Sequence, residues 1–117
     1  MIGELILRCF HARTNAHELH LLSPSLSKHL GLKEFYEGLI DPIDRIAEMV
    51  QDEQDITFPN LRYVRKDDPV TLVKELRDWV RDNRYDCCPA EETEVQNVID
   101  EIVALCRTTL YKLRKLR

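Results

Sequence analysis

Histidine is the residue to follow in this chain, because three of its four histidines fall between residues 11 and 20. His17-Glu18-Leu19-His20 is one residue short of the H-E-x-x-H zinc motif, whose two histidines stand at i and i+4 on one helix face. No further ligand lies nearby in sequence, which excludes a metalloprotease. A wider set carries more. His17 and His29 stand twelve residues apart on either side of Ser23-Pro24-Ser25, and a hairpin folded at that turn brings both imidazoles toward one point. Further along, Asp44 and Glu48 form an i, i+4 pair that presents two carboxylates side by side. Two imidazoles and two carboxylates suit Fe(II), Mn(II) or Zn(II).

Spacing limits how these four can meet. His29 and Asp44 are fifteen residues apart on one expected helix, a separation of roughly 22 Å at 1.5 Å per residue. One subunit therefore cannot bring both pairs to one ion. Two subunits packed antiparallel along this helix can, each histidine pair meeting the partner's carboxylates. The two-fold axis of such an isologous dimer would lie near Tyr36–Gly38, where Gly38 would permit close approach.

Four helical segments are expected to position these residues. The first covers about 2–22, with Ile6, Phe10, Arg13, His17 and His20 on one face and Leu7, Leu21 and Leu22 widening it. The second runs from about Ser27 to Gln51 on a stripe of Leu32, Phe35, Leu39, Ile43, Ile46 and Val50. Pro42 predicts a kink in it near Leu39. Residues 52–68 lose the periodicity and read as a long crossing connection. Asp68 and Pro69 then make a cap and first position for a third helix, whose face is Leu72, Val73, Leu76, Trp79 and Val80. A turn at Cys87-Cys88-Pro89 leads to a fourth, with Glu91, Glu92 and Glu94 early and the stripe Val95, Val98, Ile99, Ile102, Val103, Cys106, Thr109, Leu110 and Leu113. Short turns around one long middle connection describe an all-α antiparallel four-helix bundle of ferritin-like arrangement, a single domain over 1–117.

Composition agrees. The 117 residues are 44% hydrophobic and 32% charged, which fits a globular domain, and only 3 Gly and 5 Pro are too few for a many-stranded β fold. No apolar run approaches the roughly 20 residues of a membrane span, and the start MIGELILRCF lacks the basic region of a signal peptide, so a cytoplasmic protein is expected. The net charge of −4 is uneven. The stretch from Arg107 to Arg117 holds five basic groups and no acid, leaving 12 basic against 21 acidic before it. An acidic body without a helix-turn-helix signature argues against a DNA-binding regulator. The four cysteines include no C-x-x-C pair, so zinc ribbons and thioredoxin-like redox motifs are excluded; Cys9 and Cys106 read as buried thiols.

The string His17, eleven residues, His29, fourteen residues, Asp44, three residues, Glu48 resembles the ferroxidase signature of the Dps-like mini-ferritins, the DNA-protection branch of the ferritin-like superfamily. The likeness covers about residues 11–51, and the same segment is similar to small phage proteins of ferritin-like type. The resemblance implies a homo-oligomer that binds Fe(II) at a dimer interface, oxidises it with peroxide or dioxygen and stores the product in a hollow shell. It implies that His17 and His29 come from one subunit and Asp44 and Glu48 from the partner, as metal ligands and catalytic residues, with Mn or Zn as other metals. The basic Lys112–Arg117 end would stand in for the family's lysine-rich tail in contacting DNA. Glu18 stands where the family often has tryptophan, and Pro42 interrupts the helix between the ligand pairs. These two features favour a second expectation: a ferritin-like helical module of phage type that has lost the chemistry and serves a structural or protein-binding role. His11 and His20 are expected to be ordinary helix residues, and Tyr36 and Trp79 core aromatics.

Overall fold

A computed structural model describes residues 1–116, so Arg117 of the basic end lies outside the described residues. Five helices follow one another: α1 (Ile2–Leu22), α2 (Leu26–Gly38), α3 (Ile40–Gln51), α4 (Pro69–Cys87) and α5 (Thr93–Lys115). The expected second helix is thus interrupted at one residue. Leu39 keeps right-handed helical angles (φ −78°, ψ −24°), so α2 and α3 continue one another as a bent rod. Pro42 sits in the first turn of α3, where its missing N–H would have had no partner within that helix. The kink expected from Pro42 is therefore an interruption just before it.

Tertiary contacts set the order around the bundle. α1 packs on α2 and α4, and α5 packs on α4, α2 and α3. Residues 52–68 run as an extended strap along α1 in the same direction as that helix. The strap passes Gly3 at Thr57, His11 at Tyr63 and Asn15 at Lys66. Seventeen extended residues reach about 56 Å at most, enough for a molecule measuring 45 × 26 × 21 Å. The strap returns the chain to the end where α2 began, so α4 runs parallel to the α2–α3 rod and antiparallel to α1. Two helical hairpins joined by one long crossover make the helical bundle that the spacing predicts.

Why the strap lies where it does is legible atom by atom. The backbone at Gly3 lies so close to the Thr57 carbonyl that an added Cβ would stand 1.9 Å from its oxygen, so no larger residue fits without moving the strap. Asn15, 1% exposed, holds both backbone groups of Lys66: its Nδ2 donates to the Lys66 carbonyl at 2.9 Å and its Oδ1 accepts from the Lys66 N–H at 2.8 Å. The Tyr63 hydroxyl donates to the Glu18 carboxylate. At the end of the strap, Asp68 caps α4 by accepting from the Thr71 N–H at 2.8 Å and the Thr71 hydroxyl at 2.7 Å, with Pro69 at the first helical position as expected.

The core draws on all five helices, and the stripes expected for the last three helical segments are buried, apart from half-buried Trp79 and Val103. On α1 the buried face differs from the expected one. Ile2, Leu5, Cys9, Ala12, Ala16 and Leu19 alternate at three and four residues and form the seam, while Phe10, Leu21 and Leu22 are exposed. Helices on both sides of α1 favour a seam of small residues, Cys9, Ala12 and Ala16, that lets backbones approach. Leu21 and Leu22 fall in its last turn, off the face that Leu19 and His20 bury. Burial pushes the Cys9 thiol up, and likewise Cys106, to about 12; all four cysteines are free. Lys112 is ion-paired with Glu34, tying α5 to α2.

Two substitutions test these attachments. Asn15→Ala leaves the Lys66 backbone groups without their partner and should lower the unfolding free energy by about 1–3 kcal/mol, read from the urea midpoint. Asp68→Ala should cost about 1 kcal/mol near neutral pH. Hydrogen bonds from Thr71 hold the Asp68 carboxyl below its ordinary value of 3.8. Its contribution is therefore present above that value and lost as the pH falls through the lowered one, so the deficit of the variant should shrink in acid.

Candidate functional site

The hairpin of α1 and α2 is closed by Ser23-Pro24-Ser25. Ser25 caps α2, its side chain accepting from the Lys28 N–H. Just inside this turn, two histidines bind each other's backbone. His20 Nδ1 lies 2.6 Å from the His29 carbonyl, and His29 Nδ1 lies 2.7 Å from the His20 carbonyl. Their rings stack with centroids 3.6 Å apart and planes 23° from parallel. A carbonyl oxygen only accepts, so both Nδ1 atoms carry the hydrogen. In the neutral form each Nε2 is then the ring nitrogen with a free lone pair. That arrangement is the usual outer hydrogen bond of a metal-binding histidine, which fixes the tautomer and aims the ring.

His17 takes a different partner from the one that the spacing suggested. Its ring stacks on Tyr36 at 4.3 Å, with planes 11° apart, and lies 6.1 Å from His20. Tyr36 meets His20 edge-on at 5.5 Å. The four rings thus form a continuous row in the order His17, Tyr36, His20, His29. His29 is half-buried, His17 is exposed and His20 is 7% exposed. His20, expected to be an ordinary helix residue, is the buried centre of the row. Symmetry about the turn could have found it. His20 lies four residues before Pro24 and His29 five after, whereas His17 lies seven before, so His20 is the residue level with His29.

Asp44 and Glu48 project from α3, both exposed. Among the described residues neither makes a hydrogen bond or ion pair, whereas nearby Asp41 pairs with Arg45 at 3.2 Å. The two carboxylates stand on one face, one turn apart, with no cation holding them. His29 lies in the first turn of α2 and Asp44 in the second turn of α3, toward opposite ends of the bent rod. Among the described residues of one chain, no three His, Cys, Asp or Glu side chains converge as a metal-binding group. Gly38 serves a contact within the chain. A Cβ there would lie 3.1 Å from the Leu105 side chain of α5, so close helix packing inside the bundle already accounts for this glycine.

A family model, described as a family of unknown function (DUF5856), matches residues 20–113. The chain belongs to this family. The matched span contains His20, His29, Asp44 and Glu48 and begins after His17. No curated protein and no solved structure matches the chain.

The histidine pair makes a spectroscopic prediction. Long-range proton–nitrogen correlation spectra above the titration range should show both His20 and His29 as Nδ1–H tautomers. Replacing His20 with Phe should keep the ring contact with Tyr36 and leave His29 as the Nδ1–H tautomer, because His29 bonds the backbone carbonyl of residue 20 and not its side chain. A mixture of tautomers at His29, in the wild type or in that variant, would contradict this bonding.

Proposed function

We propose that this chain is a ferritin-like bundle that takes divalent iron at sites shared between two copies and oxidises it there. His17 and His29 of one copy and Asp44 and Glu48 of the other supply the ligands, in a dimer packed antiparallel along the α2–α3 rod. The topology supports this reading, because two hairpins joined by a long crossover are the ferritin-like connection. The observation that carries it is the pairing of opposites on one rod. At one end stands a histidine whose Nδ1 is committed to a carbonyl and whose Nε2 is free. At the other stand two exposed carboxylates without a cation. Antiparallel pairing brings each end to the other.

The donor set fits the ion. Imidazole nitrogen and carboxylate oxygen are ordinary ligands of Fe(II), and they also accept Mn(II) or Zn(II). Anionic oxygens stabilise Fe(III) more than Fe(II), which favours loss of one electron from each iron to dioxygen or peroxide. The protein's own part is to hold the His29 imidazole in one tautomer and to present the carboxylates already free of competing cations.

One observation favours the second reading, a bundle that has kept its shape without the chemistry. The His20–His29 pair is complete as a staple of the hairpin, each Nδ1 satisfied and the rings stacked, with no metal needed to explain it. Anaerobic loading with Fe(II), followed by metal analysis and light scattering on a sizing column, separates the two. The wild type should retain stoichiometric iron as a dimer or larger assembly. The Asp44→Ala, Glu48→Ala double variant removes only exposed, unbonded carboxylates; it should fold normally and lose the iron. Absence of specific metal in the wild type would leave the structural reading standing.

A further inference from the structure

On the face of α1 away from the carboxylates, the strap arches over a cleft of about 400 Å³ between α1 and α4. That size falls within the range of small-molecule sites. The strap is fastened at Thr57 by close contact with Gly3 and at Lys66 by Asn15, and the cleft opens beside the second attachment.

Its lining has two characters. The floor is apolar, formed by Ala12, Leu72 and Leu76, each 5–6% exposed. The walls are aromatic and cationic. Trp79 lies along α4 with the Arg8 guanidinium over its ring, 4.6 Å from the centroid. Tyr63 of the strap faces His11 of α1 edge-on at 5.4 Å. Arg8, Arg62 and Lys66 bring three positive charges to the lining against the single carboxylate of Glu75, which pairs with Lys66 at 3.3 Å. Arg8 is held by Glu4 at 2.7 Å. Arg62 is exposed, and among the described residues it makes no ion pair or side-chain hydrogen bond. A cationic hollow is notable in a chain whose net charge is −4. Burial and, to a smaller extent, the charge of Arg8 lower the His11 pKa.

The geometry points to a binding site for a small planar aromatic or heteroaromatic molecule that carries one anionic group, a carboxylate or a phosphate, with Arg62 as its charge partner. The ring would lie on the apolar floor between Trp79 and Tyr63, where an aromatic face gains both burial and stacking. The anionic group would reach Arg62, the lining cation that has no carboxylate of its own, and a planar guanidinium matches either headgroup in bidentate fashion. Arg8, stacked on Trp79, keeps that wall fixed. This site shares no residue with the proposed iron site, so either stands without the other.

Trp79 is the chain's single tryptophan, so its indole N–H gives one resonance that reports on the cleft. The test titrates the full-length labelled protein with 1-naphthyl phosphate, 2-naphthoate and the uncharged 2-naphthalenemethanol. At least one of the anions should shift the Trp79 resonance saturably, with a Kd below about 1 mM, and the neutral alcohol should bind about ten-fold more weakly. Saturation by the phosphate alone would assign a phosphate monoester, and by the carboxylate alone an aromatic acid. Arg62→Gln, which alters an exposed and unpaired side chain, should weaken the anion about ten-fold. Arg65→Gln removes the same charge from the strap outside the lining and should leave binding unchanged. The proposal is overturned if neither anion moves the Trp79 resonance, if the alcohol binds as well as the anions, or if the two arginine variants behave alike.

Discussion

A chain that forms two helical hairpins must still choose how one lies on the other, and here the strap makes that choice. Residues 52–68 have almost no backbone bonds among themselves, so the strap is held by other elements, chiefly by α1. Asn15 does for Lys66 what a neighbouring strand would do, pairing both backbone groups at once within a buried setting. Gly3 allows the strap's backbone to approach where any side chain would hold it off. Because the strap follows α1 from its first turn to near its last, α4 starts level with the α1–α2 turn and runs antiparallel to α1. The neighbours of α5 follow from that.

The same constraint shapes the chemistry. By running along α1, the strap makes one face of that helix the wall of a cleft and leaves the α2–α3 rod open on the other side of the molecule. The histidine row lies at the hairpin end of the rod and the carboxylates toward its other end. Within one chain these groups are kept apart by the rigidity of two helices that continue one another through Leu39. A site that needs both has to recruit a second copy, whereas a site on the strap side is complete in one chain.

The histidine row also shows how a polar group is placed in a hairpin without strain. His20 and His29 each use Nδ1 to bond a backbone carbonyl of the other helix. The His20 carbonyl lies in the last turn of α1, where acceptors lack helical partners, whereas the His29 carbonyl lies in the first turn of α2, where the helix itself pairs it. The stacked rings seal the hairpin beside the turn. One bonding pattern thereby does structural duty and leaves two Nε2 atoms defined, which is why the pair is compatible with both functional readings.

Much of this was legible in the sequence, because it depends on local rules. Periodicity marks the helices, Asp68-Pro69 marks the start of α4, Pro42 marks the break in the rod, and the loss of periodicity after Gln51 marks the strap. Each reflects a preference that a few neighbouring residues express by themselves. The donor types and their spacing along the α2–α3 rod were legible for the same reason. Tertiary structure alone decided the rest. The buried face of α1 depends on having partners on both sides, which moved the seam from the large residues Phe10, Leu21 and Leu22 to the small residues Cys9, Ala12 and Ala16. The partner of His29 depends on how two helices align across the turn, and Gly38 on what α5 places above it. The cleft beneath Tyr63 exists only because residues far apart in the chain meet there. Contacts across long stretches of chain are set by packing, and packing leaves no periodic mark on either partner alone.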